Sequence, residues 1–268
     1  MNLCYSTLGC PGWDFAEALS AARDLGYDGI EIRGVGSEIY APSAKPFLLE
    51  NIDATMNKIN SMKLEISCFT TGCFLFDETN NERYLQEGKD YIDLAHKTKT
   101  PYIRVLADKN PAPEGERNEE IIIKSLNILS NYAEGKNVTV LIETNGIYAS
   151  SDRILSLIEK VDAKNIGILW DVHHPYRYMG ELVSHTYNKL KKHIKYIHVK
   201  DSIMLDGKVA YKMAGHGDIP LKEAVSLLKQ DDYTGYISLE WVKRWNMELE
   251  EPGIVFSGFV DYMKKILK

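Results

Sequence analysis

The sequence predicts an α/β fold, a single (β/α)8 TIM barrel, because short β-branched runs alternate with longer amphipathic segments along the chain. Eight such pairs in 268 residues give about 33 residues per unit, the size expected of a βα repeat. The turn after the first predicted strand, residues 7–12, lacks the glycine fingerprint of an open nucleotide-binding sheet. No linker or low-complexity tract divides the chain, so we assign residues 1–268 to one domain.

The individual elements follow from local sequence. The predicted strands are 3–7, 28–33, 63–69, 101–106, 138–143, 165–170, 195–200 and 235–240. The predicted helices are 14–25, 46–61, 80–98, 118–135, 151–160, 179–193, 219–229 and 252–267. Expected helix N-caps are Asp14, Ser151 and Asp218, with Pro220 and Pro252 in first turns and Gly26 and Gly135 at C-termini. In the long segment 201–218, Asp206-Gly207 predicts a hairpin that can act as a lid.

Composition excludes several classes of protein. Lys and Arg number 32 against 38 Asp and Glu, so we expect no nucleic-acid partner, because phosphate contacts need a basic face. No apolar run approaches the length of a membrane span and the N-terminus lacks a signal-peptide pattern, so we expect no membrane partner and a cytoplasmic location. The four cysteines form no CxxC pair, which predicts inert buried thiols instead of disulfides or structural zinc.

The candidate site lies at the ends of the last four predicted strands, where barrel enzymes carry their chemistry. Each of these strands closes an apolar run with one ionisable residue: Glu143, Asp171, His198 and Glu240. Three carboxylates and one imidazole suit one divalent metal ion, with Mn²⁺ first and Mg²⁺, Co²⁺ or Zn²⁺ as alternatives. Each carboxylate taken alone can equally be a cap for the following helix.

The strand period of two places further polar groups at the same rim. Arg33, Arg104 and Lys200 can hold the oxygens of a polyol, a carboxylate or a phosphate, although both arginines can instead be ion-pair partners of Glu31 inside the barrel. His174 follows Asp171 by three residues and is expected beside the metal. Trp241 is expected as an apolar wall that can stack on a sugar face. Lys243 and Arg244 are expected in a solvated loop, with a phosphate clamp as the alternative.

These motifs resemble the xylose isomerase-like superfamily and, within it, the sugar phosphate isomerases and epimerases, which share their barrel with endonuclease IV and inosose dehydratase. The resemblance rests on the sequences at 26–33, 142–145, 170–174, 198–201, 215–220 and 238–241 and covers essentially the whole chain. It implies that Glu143, Asp171, His198 and Glu240 bind one divalent metal. It also implies that the two glutamates act as acid and base, and that His174 contacts substrate oxygens.

The sequence departs from the endonuclease branch, which needs further histidines after the third and fourth strands. Those strands end here in Ser-Cys-Phe at 67–69 and Arg-Val-Leu at 104–106, which argues against DNA repair. His216 lies in a glycine-flanked loop, and its role stays open.

Three functions are compatible with this site. The first is a metal-dependent isomerase or epimerase of a small keto sugar or related hydroxy-carbonyl compound, in which one glutamate forms an enediolate and the other returns the proton. The second is an inosose-type dehydratase that begins with the same proton abstraction. The third is a catalytically inactive sugar-binding barrel. The substrate, its phosphorylation and a homo-oligomeric state stay open.

Overall fold

The computed structural model describes residues 1–268 and confirms the predicted TIM barrel. The barrel strands are β1 (Asn2–Ser6), β2 (Gly29–Ile32), β3 (Glu65–Phe74), β4 (Tyr102–Leu106), β5 (Thr139–Glu143), β6 (Ile166–Asp171), β7 (Ile194–Val199) and β10 (Tyr236–Leu239). They close in the order β1-β10-β7-β6-β5-β4-β3-β2. All eight predicted strands are therefore confirmed, with bounds shifted by a few residues. The assignment to one domain stays a prediction.

The helices surround these strands as the sequence predicts, with one addition. They are α1 (Phe15–Leu25), α2 (Ile52–Ser61), α3 (Asn81–Thr98), α4 (Glu119–Ala133), α5 (Ser151–Glu159), α6 (His173–Met179), α7 (Val183–Leu190), α8 (Leu221–Gln230) and α9 (Pro252–Ile266). The predicted helix 179–193 begins later, because Gly180 adopts a left-handed φ of 65° that ends α6. The short helix α6 was not predicted.

Helix ends test the predicted caps. Asp14 forms a capping box with Glu17 at the start of α1, and Gly26 ends that helix with a φ of 81°. Two predicted N-caps are wrong: Ser151 is the first helical residue of α5 after Ser150, and Pro220, not Asp218, precedes α8. Neither Ser150 nor Pro220 makes a side-chain capping hydrogen bond, so the sequence has no capping signal at the true start of either helix.

Contacts between residues group the chain into two compact units. The terminal unit is Met1–Ser67 with Ile197–Lys268, and the central unit is Cys68–Tyr196. In the terminal unit, Tyr5 stacks on Phe256 with ring centroids 3.9 Å apart, and Tyr27 donates a hydrogen bond to the Phe256 carbonyl. These contacts join β1 and the loop after α1 to α9. Burial of such large rings supplies much of the unit's hydrophobic stabilisation.

The hairpin predicted around Asp206-Gly207 is confirmed and belongs to the terminal unit. Its strands are β8 (Asp201–Leu205) and β9 (Lys208–Lys212), and both turn residues have positive φ, 49° at Asp206 and 75° at Gly207. The buried Asp201 carboxylate accepts hydrogen bonds from the backbone N–H groups of Ser202, Gly215, Gly217 and Ile219. One carboxylate thereby fixes both the base of the hairpin and the loop that follows it.

In the central unit, a buried carboxylate organises the loop that leaves β5. The Asp108 carboxylate accepts hydrogen bonds from the Arg117 guanidinium and the Ile147 N–H, and Asn145 donates to the Asp108 carbonyl. Gly146 lies between these partners with a φ of 59°, and a Cβ there would approach the Asp108 carboxylate to 2.2 Å. Only glycine satisfies both constraints at this position.

The structure has no helix long and apolar enough to cross a membrane. All four cysteines are free and buried, as expected. Burial raises the pKa of the Cys10 thiol from its ordinary value of 9.0 to about 12, and burial also raises the pKa of Cys73.

We predict that Gly146→Ala destabilises the protein more than Gly180→Ala. Both residues have similar φ values, 59° and 65°, but a Cβ at Gly180 meets nothing within 4 Å. The control should lose about 1 kcal/mol from left-handed strain, whereas Gly146→Ala should lose about 1–3 kcal/mol more through overpacking. Urea unfolding of both variants measures the difference. Equal losses would contradict the steric argument.

We predict that the native thiols resist a disulfide reagent such as DTNB and that all four react after denaturation, because all four are buried away from the reagent in the folded protein. The raised pKa of Cys10 also lowers the free energy of unfolding as the pH rises from 9.0 towards about 12, since the unfolded thiol ionises first. Rapid reaction of any native thiol at pH 8 would count against this description.

Candidate active site

The four residues predicted at the strand ends come together in the structure. Glu143 and Asp171 are the last residues of β5 and β6, His198 is the penultimate residue of β7, and Glu240 directly follows β10. All four are buried, and each offers one ligand atom within 4.8 Å of the others. Parallel barrel strands end at one rim, so residues far apart in sequence meet there.

Glu143 forms a buried ion pair with Arg104. Its Oε2 lies 3.0 Å from Arg104 Nε, an ion-pair contact, and Arg104 Nη1 donates a hydrogen bond to the Thr71 carbonyl, at 3.0 Å. The other carboxylate oxygen, Oε1, lies 3.8 Å from His174 Nδ1. Arg104, predicted either to hold substrate or to form an ion pair, is therefore an ion-pair partner of Glu143 in this structure.

Asp171 joins β6 to the start of α6. Its Oδ1 accepts hydrogen bonds from the backbone N–H groups of His173, at 2.8 Å, and His174, at 3.3 Å. Its Oδ2 lies 3.5 Å from His174 Nε2. His174 Nδ1 in turn lies 2.9 Å from the Thr144 carbonyl, which orients the imidazole. His174 is therefore next to the cluster, as expected from its spacing to Asp171.

His198 is oriented by a residue whose role the sequence did not reveal. Its Nε2 lies 2.7 Å from Glu31 Oε2, and neither side chain has exposed surface. Its other nitrogen, Nδ1, lies 3.5 Å from Glu240 Oε1. Glu31 belongs to β2, within the motif used for the family resemblance. Its position on a buried strand was the available signal, because a carboxylate there needs a polar partner.

Glu240 also has a cationic partner. Its Oε2 forms a buried ion pair with Lys200 Nζ, while its Oε1 lies 3.5 Å from His198 Nδ1. Lys200 directly follows β7 and is only 2% exposed. Each of the two glutamates thus has one oxygen committed to a basic side chain: Arg104 for Glu143 and Lys200 for Glu240.

Other predicted residues lie in different surroundings. The Arg33 guanidinium lies 5.7 Å from the centre of the Trp245 ring. Trp241 is fully buried and its Nε1 donates to the Glu250 carbonyl, so its ring presents no accessible face for stacking in this conformation. His216 is exposed in the loop whose neighbouring N–H groups bind Asp201.

The expectation of a solvated loop at Lys243 and Arg244 is wrong. Lys243 Nζ donates to the carbonyls of Met247 and Leu249, and Arg244 Nη2 donates to the Gly36 carbonyl. Burial lowers the pKa of Arg244. Both basic side chains therefore donate hydrogen bonds to backbone carbonyls. The sequence shows only that they are charged, which does not distinguish such a structural role from exposure to solvent.

Comparisons with known proteins agree with this fold. Residues 19–255 match the family model described as xylose isomerase-like TIM barrel. A fructoselysine 3-epimerase of Shigella flexneri is 26% identical over 265 residues, covering 93% of this chain and 92% of that protein.

Two solved structures share the whole fold. The probable 3-DHS dehydratase AsbF from Bacillus anthracis has a TM-score of 0.82 at 17% identity, covering 98% of this chain and 99% of that one. A xylose isomerase-like protein from Mycobacterium smegmatis, in complex with magnesium, has a TM-score of 0.75 at 16% identity, covering 99% and 96%. Because the family model spans most of the sequence, this chain belongs to the xylose isomerase-like TIM barrel family.

Proposed function

We propose that this protein is a divalent-metal-dependent isomerase or epimerase of a small keto sugar or a related hydroxy-carbonyl compound. The observation that carries the proposal is the buried cluster of Glu143, Asp171, His198 and Glu240, with ligand atoms within 4.8 Å of one another. The 26% identical fructoselysine 3-epimerase supports proton transfer at a sugar carbon. We propose Glu143 and Glu240 as the acid/base pair.

The donor set fits a divalent cation in type and in charge. Three carboxylates and one imidazole are ligands that Mn²⁺ accepts readily, and Mn²⁺ is the ion we propose first. The contacting carboxylates, Glu31 included, number four against the cations of Arg104 and Lys200, a formal charge of −2 with neutral histidines. One divalent ion balances that charge. When bound, such an ion polarises a carbonyl group and acidifies the adjacent C–H.

The two glutamates carry out separate steps of the proposed proton transfer. One glutamate removes the proton next to the carbonyl, giving an enediolate, and the other delivers a proton to the neighbouring carbon or the opposite face. Arg104 and Lys200 hold one oxygen of Glu143 and of Glu240, so each carboxylate keeps a fixed orientation. His174 and Lys200 lie beside these carboxylates and are proposed to contact substrate oxygens. Arg33, two residues beyond Glu31 on the same face, is proposed to contact the outer part of the substrate.

We predict that a divalent ion stabilises the fold, because it relieves repulsion among buried carboxylates. Mn²⁺ at about 100 times its dissociation constant should add about 2.7 kcal/mol, which corresponds to a Tm increase of about 5–10 °C for a chain of this size. Thermal melts with Mn²⁺ and with EDTA measure this. Asp171→Asn should reduce the increase, and identical melts of the unmodified protein in both buffers would contradict the metal site.

We predict that Glu143→Gln and Glu240→Gln each lower turnover at least about 100-fold while the barrel stays folded, because the amide cannot transfer the proton. The assay is NMR of fructoselysine and of simple ketohexoses in D₂O with Mn²⁺, following deuterium uptake next to the carbonyl. Glu65→Gln is a matched control, because that carboxylate instead accepts a hydrogen bond from the Tyr236 hydroxyl.

The same spectra separate the rival functions. Deuterium uptake without loss of water supports an isomerase or epimerase, whereas an unsaturated product indicates a dehydratase. Full activity in either glutamine variant would remove the proposed acid/base pair. Tight sugar binding without metal and without exchange in any substrate would indicate a binding protein instead.

A further inference from the structure

We propose that Glu31 is a positioning residue that fixes the orientation and tautomer of His198 for metal binding. The inference rests on the proposed function, since it assigns a task within the proposed metal site. Glu31 Oε2 lies 2.7 Å from His198 Nε2, and both side chains have no exposed surface. At that distance and burial, the contact is a strong, charge-assisted hydrogen bond.

The geometry assigns the two nitrogens of His198 to different partners. A carboxylate only accepts hydrogen bonds, so Nε2 must carry the proton that Glu31 binds. In a neutral imidazole the other nitrogen, Nδ1, then has the lone pair. Nδ1 lies on the side of Glu240, 3.5 Å from Oε1 and within the proposed cluster. Glu31 therefore selects the tautomer that presents Nδ1 as the metal ligand.

The fold makes this pairing rigid. Glu31 lies on β2, where its Cα pairs in register with Ser6 of β1, and His198 pairs with Ser238 of β10. Both side chains thus project from hydrogen-bonded strands instead of loops, which limits their freedom to reorient. Carboxylate partners of metal-bound histidines also raise the basicity of the ring.

A purely structural role makes a different prediction. If Glu31 served only to satisfy the hydrogen-bonding need of the buried imidazole, its removal would lower the free energy of unfolding without changing the affinity of the folded protein for metal. If Glu31 positions His198, removal should weaken metal binding in molecules that remain folded. Glu31→Gln keeps the size and a hydrogen-bonding oxygen but loses the charge, and Glu31→Ala removes the contact altogether.

The first test is titration calorimetry of Mn²⁺ into the metal-stripped, full-length protein and its variants. We expect Glu31→Ala to bind Mn²⁺ about 10–100-fold more weakly, Glu31→Gln to lie between, and the control Glu65→Gln to match the unmodified protein. Circular dichroism melts establish which samples are folded, and Glu31→Gln provides the reading if Glu31→Ala does not fold. Affinities within twofold across folded variants would overturn the inference.

The second test reads the tautomer itself, which the inference requires to be protonated on Nε2. Long-range ¹⁵N–¹H NMR of the metal-free protein should show His198 protonated on Nε2, and a Glu31 variant should show a mixture of both tautomers. Addition of diamagnetic Mg²⁺ or Zn²⁺ should shift only Nδ1 strongly in the unmodified protein. Nδ1 protonation in the unmodified protein would overturn the inference. Failure of that protein to bind Mn²⁺ at all would overturn the proposed function as well, so the two failures are distinguishable.

Discussion

The organising constraint of this structure is that acidic side chains are buried close to one another. Glu143, Asp171 and Glu240 have ligand atoms within 4.8 Å of each other and of His198, in an environment nearly closed to solvent. Charges of one sign at such distances repel strongly when water cannot screen them. The fold meets this constraint by giving each of these four side chains a partner for one of its two polar atoms.

The four partners differ in chemistry but act in the same way. Glu143 Oε2 binds Arg104, Glu240 Oε2 binds Lys200, and Asp171 Oδ1 accepts backbone N–H groups at the start of α6. His198 Nε2 binds Glu31. In each case the partner restricts rotation of the side chain, so its other polar atom has a preferred direction. Such preorganisation is what an enzyme needs from residues that contact a reacting centre.

The sequence was sufficient for the fold because a βα repeat leaves a periodic signal in every unit. It also predicted the four residues of the proposed metal site, because a charged residue that ends an apolar strand needs a polar partner, and their role stays a prediction. It did not predict α6, whose seven residues come immediately after β6, nor the role of Glu31. A glutamate within a strand looks the same whether its partner is Arg33 or a histidine 167 residues away. The prediction that Lys243 lies in a solvated loop was wrong for a similar reason, because hydrogen bonds from a side chain to backbone carbonyls leave no pattern in the sequence.

The tie between Asp201 and the loop around Gly215 and Gly217 has a consequence for how this barrel can vary. The Asp201 carboxylate holds the point where the hairpin leaves and rejoins the barrel. The turn at Asp206-Gly207 lies at the other end of the hairpin and takes no part in these contacts. Extra residues inserted at this turn would lengthen the hairpin without disturbing the contacts at its base. The length of this hairpin can therefore change while the strand ends keep their positions.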